Sequence, residues 1–96
     1  MELYCTDTGF VFGVVGTETP LHDKFGVSLC VGDVVLLRDK AATWSKLRFV
    51  GYDENHDKYY IMGAYIDADR YDVELAVSHK RLSEGFGIGN VRYIKV

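Results

Sequence analysis

Apolar residues recur along this chain in short alternating runs separated by polar, glycine-bearing stretches. A two-residue alternation is the signature of a strand with one buried face, whereas an apolar run on both parities predicts a strand covered on both sides. In GFVFGVV (residues 9–15), Phe10, Phe12 and Val14 alternate with Val11, Gly13 and Val15. This predicts a two-sided strand, or one bent by a bulge at Gly13. GTETPLHDKFG follows as a polar connection, with Pro20 and Gly26 as breakers. Val27, Leu29 and Val31 then alternate with Ser28 and Cys30, Gly32-Asp33 interrupts, and VVLLR resumes the strand pattern. In KLRFVGY, Leu47 and Phe49 face one way while Lys46 and Arg48 face the other. DENHD reads as a hairpin loop and KYYIMGAYI as the returning strand. That strand has Tyr59, Ile61 and Tyr65 on one side and Tyr60, Met62 and Ile66 on the other, which places it centrally. After the polar turn DADRYD, VELAVS sets Val73, Leu75 and Val77 against Glu74 and Ser78. The glycine-rich HKRLSEGFGIGN is irregular, and VRYIKV closes with Val91 and Tyr93 alternating against Arg92.

No segment carries a convincing helical period. LRDKAATWSK has helix formers but is short, with Thr43 and Ser45 near its middle. The pattern predicts an all-β chain of six or seven strands, a small barrel or a β-sandwich, in which closing the sheet would remove exposed edges. Residues 1–96 form a single domain on this reading. The segments Met1–Val15 and Gly85–Val96 add strands beyond a minimal barrel and are expected to pair with each other or to extend the sheet.

Composition agrees with this and narrows the function. With 48% hydrophobic and 14% aromatic residues, 96 residues suffice for one real core without disulfide staples. No apolar stretch is long enough to span a membrane as a helix. MELYCTDTGFVFG lacks the basic region of a secretory signal, so a cytoplasmic location is expected, with Cys5 and Cys30 as reduced thiols. A net charge of −3 argues against a dedicated duplex-DNA binder, which needs many cations on phosphate.

The stretch from Asp23 to Val35 reads D-x-x-G-x-x-L-x-V-G-D-x-V and opens into a strand, a loop, a long hairpin and an alternating strand ending at SHKRL. This order, covering about residues 23–83, resembles the SH3-like barrels of the Tudor and KOW type. The opening is also similar to that of many small bacteriophage proteins of unassigned function. The resemblance implies that Val31-Gly32-Asp33-Val34 forms the tight corner into the first barrel strand. Gly32 would permit the turn and Asp33 would bond nearby backbone. It also implies that Ser78-His79-Lys80-Arg81-Leu82 is the short turn returning Leu82 to the core. Because such folds host many functions, function has to be argued from a site.

Catalytic chemistry finds little support. Cys5, Cys30, Ser28, Ser45, Ser78 and Ser83 have no nucleophile signature with His22, His56 or His79. Cys30 lies in an apolar alternation and reads as a small core residue. His56 reads as a solvated hairpin residue and His79 as a stabiliser of its turn. Asp67, Asp69, Asp72 and Glu74 lack the spacing and glycine of a calcium loop, and no Cys/His set has zinc spacing. GFGIGN leads into a strand rather than a helix and reads as a bulged β turn. No catalytic residue, metal or cofactor is expected.

Charge segregation says more. Arg38, Lys40, Lys46 and Arg48 stand against Asp39 alone, beside Trp44, the single tryptophan. Asp53, Glu54 and Asp57 form an acidic tip. Tryptophan and arginine are enriched in interface hot spots. The expectation is a non-enzymatic protein-interaction domain, of the kind a phage-type regulator or inhibitor uses to bind a host protein. Its contacts would come from Trp44, Arg38, Lys40, Lys46, Arg48, Asp53, Glu54 and Tyr60. A β-augmented homodimer is compatible with a terminal strand left at a sheet edge. An RNA or single-stranded DNA binder, using Tyr52, Tyr59, Tyr60 and Trp44 as stacking platforms, ranks second because of the acidic tip. A nucleotide-sequestering protein ranks third.

Overall fold

A computed structural model describes residues 1–64 and 68–96 of the chain. The turn residue Asp67 and the strand positions Tyr65 and Ile66 lie outside the described residues. Among the described residues, ten short strands and two 3-10 turns make up the regular structure. The strands are β1 (Glu2–Cys5), β2 (Val11–Val14), β3 (Glu18–His22), β4 (Ser28–Cys30), β5 (Val34–Asp39), β6 (Ser45–Asp53), β7 (Lys58–Ile61), β8 (Tyr71–Val77), β9 (Gly87–Ile88) and β10 (Val91–Ile94). The 3-10 turns are Ala68–Arg70 and His79–Arg81. Three antiparallel sheets result, in the orders β2-β1-β10-β9, β3-β4 and β7-β6-β5-β8, and none closes into a barrel.

The terminal segments pair with each other, as the sequence suggested. Leu3 stands opposite Tyr93 in the β1–β10 ladder, and both side chains are fully buried. The closing strand β10 is an inner strand, flanked by β1 and β9, rather than a free edge. The sheet ends are β2, β9, β7 and β8. Ile88 and Val91 pair around Gly89-Asn90, a two-residue hairpin loop with Gly89 at φ +60°.

The sheet of β5 and β6 is buried on both faces, and this explains the unbroken VVLLR run. Val34 and Phe49 pack with Leu3, Val31 and Tyr93 on one side. Val35 and Val50 pack with Leu29 on the other, where Leu21 of β3 also covers them. Phe49 carries aromatic contacts to Phe86 and Tyr93, with ring centroids 5.9 and 5.7 Å away.

Several expectations give way to tertiary structure. ETPLH is a strand, not a connection. Pro20 is tolerated because β3 belongs to a two-stranded ribbon with an irregular register, so its missing N–H faces no ladder partner. KYYI is an edge strand beside β6, not a central one. Both its parities are apolar because Tyr59 and Ile61 pack into the core while Tyr60 lines an open cavity. In β8 the register shifts between Val77 and Leu75, so Val77 joins the cluster of Val34 and Leu75 the cluster of Val35. A bulge at Ala76 flips the alternation read from the sequence. In β2, Gly13 sits at φ +113° opposite a register shift in β1. Phe12 turns to the core, whereas Phe10 and Val14 are exposed.

Candidate functional site

The corner between β4 and β5 is built on Gly32, at φ +88°, a left-handed conformation that glycine adopts freely. Its carbonyl accepts the hydroxyl of buried Tyr93. Asp33, buried beside it, spreads its carboxylate over three donors. One oxygen accepts the Cys30 N–H at 2.8 Å, and the other accepts the His79 N–H at 2.8 Å and its ring Nδ1 at 2.7 Å. The bond to the corner's own backbone and the His79 brace were both legible in the sequence. The joining of the two, 46 residues apart, was not.

The same geometry gathers Cys30, Asp33 and His79, whose sulfur, carboxylate oxygen and ring nitrogen all lie within 4.8 Å of one another. Burial pushes the Cys30 thiol up, the negative charges of Asp33 and Glu18 push it further, and Lys80 opposes them. A nucleophilic cysteine needs the reverse, a thiolate favoured by its surroundings. Cys30 is half-buried and free, and Cys5 is free and buried in the core.

The Trp44 loop joins β5 to β6 at the far end of the central sheet. Its base is clamped. Arg70 bonds buried Asp39 at 2.8 Å, Ala41 N–H donates to the same carboxylate at 2.8 Å, and Lys40 N–H reaches the Arg70 carbonyl at 2.8 Å. The Arg70 guanidinium holds the Asp39 carboxyl below its ordinary range. Trp44 is 36% exposed. Its ring leans on Tyr71 at 5.9 Å between centroids, and Lys46 Nζ sits 5.1 Å from it. It is therefore neither a free anchor nor a full lid, but a half-covered ring in a cation-rich setting.

Register distributes the other cations. Lys46 stands opposite Leu37, whereas Arg38 stands opposite Ser45. Successive strand residues project from opposite faces, so Arg38 leaves the sheet on the other side, together with exposed Leu47. Lys40 pairs with Asp72 at 3.9 Å. Arg48 donates to the Leu47 carbonyl at 3.0 Å and lies against Gly63.

Asp53, Glu54 and Tyr60 belong to a second place. With Phe10, Phe12 and His56 they line a cavity of about 250 Å³ at the β6–β7 turn. His56 Nδ1 contacts Asp53 at 2.7 Å and holds that carboxyl below its ordinary range. The His56 ring remains largely exposed, as expected of a hairpin residue. Tyr52 donates its hydroxyl to Asp57 and is pushed up to about 12 by that bond. Seven residue steps along β6, about 23 Å at the strand rise, separate Lys46 from Asp53. The basic loop around Trp44 and the acidic tip thus lie at opposite ends of one strand. No protein-family model, no curated protein and no solved structure matches this chain.

Proposed function

We propose that this chain is a non-enzymatic protein-interaction domain, with an SH3-like arrangement of its central strands, that docks a partner through the Trp44 end of the β5–β6 hairpin. The observation that carries the reading is Trp44 itself. It is a large, partly exposed ring on a loop whose base is pinned by the Asp39–Arg70 pair, with Lys46 at its face. A pinned aromatic loses little freedom on binding and offers a large apolar area, the two properties of an interface anchor. Lys46 at the ring face favours a partner with an apolar pocket beside an acidic group. The SH3-like reading draws support from the order of β4 to β8 and from the 3-10 turn at His79–Arg81, which delivers Leu82 to the core.

Nucleic-acid binding is the weaker reading. Two of the tyrosines meant as platforms, Tyr52 and Tyr59, pack on each other at 5.2 Å between centroids, and the third, Tyr60, lines a cavity beside the acidic Asp53 and Glu54. Tyr71 backs Trp44, and the neighbouring Asp72 and Glu74 already engage Lys40 and Lys24.

The test is retention of lysate proteins on wild type, Trp44→Ala, Lys46→Glu and, as a control from the other end of β6, Phe10→Ala. One protein held through a salt series by wild type and Phe10→Ala, and at least about 30-fold weaker with Trp44→Ala, is the expected result. Retention that is salt-labile, nuclease-sensitive and equal in Trp44→Ala overturns the proposal in favour of nucleic acid.

A further inference from the structure

The corner cluster has the donors of a metal site that the linear sequence does not display. We infer that Cys30, Asp33 and His79 form a binding site for a divalent transition-metal ion of the zinc class. Thiolate, imidazole and carboxylate together are the ligand set that zinc and its neighbours prefer, and calcium or magnesium do not.

Two observations support it. The first is distance. Ligand bonds of about 2.0–2.3 Å bring the donor atoms around one ion within about 4 Å of each other. A set already within 4.8 Å closes with small side-chain rotations.

The second is the contact between His79 and Asp33. The ring Nδ1 and an Asp33 oxygen lie 2.7 Å apart with a proton between them. The ion replaces that proton, which moves to Nε2 as the imidazole adopts its other tautomer. Nδ1, the Asp33 carboxylate and the Cys30 sulfur then face one ion.

Binding is a simple exchange. The ion forms a bond to the Cys30 sulfur, the S–H bond breaks, and the proton leaves to solvent. The ligand sulfur must be deprotonated to bind, so binding releases a proton and tightens as pH rises.

The probe is Co²⁺ added to the reduced, purified chain and followed by absorption, with Zn²⁺ as competitor. The expected result is one Co²⁺ per chain, a sulfur-to-cobalt charge-transfer band, and displacement by Zn²⁺. Cys30→Ser abolishes the band while Cys5→Ser keeps it. His79→Ala weakens binding by about tenfold or more. Near-UV circular dichroism establishes that Cys30→Ser is folded. A band that survives Cys30→Ser, or no band in wild type at millimolar Co²⁺, overturns the inference.

Discussion

Asp33 is the residue whose loss tests the architecture most directly. It is 3% exposed and takes three hydrogen bonds, at 2.7, 2.8 and 2.8 Å, from two segments 46 residues apart. Asp33→Ala leaves two backbone donors and one ring donor without an acceptor. Bonds to a charged acceptor contribute about 1.5–3 kcal/mol each. The three do not simply add, because the His79 side chain keeps 16% exposure and recovers some water. A loss of about 3–5 kcal/mol follows, against about 5–15 kcal/mol for a whole domain. Asp33→Asn retains one oxygen and so one side of the corner, and about half the loss is expected. His79→Ala removes only the ring bond, about 1 kcal/mol, and a coupling of about that size should appear in the Asp33→Ala/His79→Ala double mutant. The assay is urea unfolding followed by tryptophan fluorescence. At about 1–2 kcal/mol per molar urea, Asp33→Ala should lower the midpoint by about 2–3 M. A midpoint within about 0.3 M of wild type, with the slope unchanged, would refute the idea that this carboxylate ties the corner to the 3-10 turn.

Other outcomes follow from neighbouring contacts. Gly32→Ala combines a positive φ with a Cβ 3.0 Å from both the Tyr93 hydroxyl and a Val15 methyl. It should cost at least about 1–2 kcal/mol in the same assay, and a neutral result would contradict the corner geometry. Burial alone would raise the Asp23 carboxyl, but N–H donors from Leu75, Val27 and Phe25 outweigh it and hold the group below its ordinary value. A carboxyl lowered by folding contributes stability that is full above its unfolded pKa and is lost as pH falls through its folded value. Acid unfolding should therefore steepen below about pH 4, and Asp23→Asn should flatten that part of a stability-against-pH curve. Arg70→Ala removes the main cause of the lowered Asp39 carboxyl. Carbon-13 NMR titration should show that carboxyl titrating at higher pH, and an unmoved titration would rule out the ion pair as the clamp of the Trp44 loop.

Much of the fold was written in local pattern. Alternation in KLRFVGY and VRYIKV, the DENHD turn and the Gly32-Asp33 corner could all be read from the chain. Each depends on neighbours two residues apart or on a turn that needs a particular residue type. The conformation of Gly32 and the first bond of Asp33 are of this kind, since glycine and aspartate impose them wherever they stand.

What tertiary structure decided is non-local. Alternation says which residues share a face but not which strand lies beside it, so KYYI read as central and became an edge. One extra residue at Ala76 reverses every side chain beyond it, and ETPLH became a strand because β4 offered it a partner. The same register divided the expected partner residues between the two ends and two faces of β6. The Cys30–Asp33–His79 cluster has no spacing to find, because its members come from a strand end, a corner and a 3-10 turn that meet only once the core of Leu3, Val34, Phe49 and Tyr93 has closed.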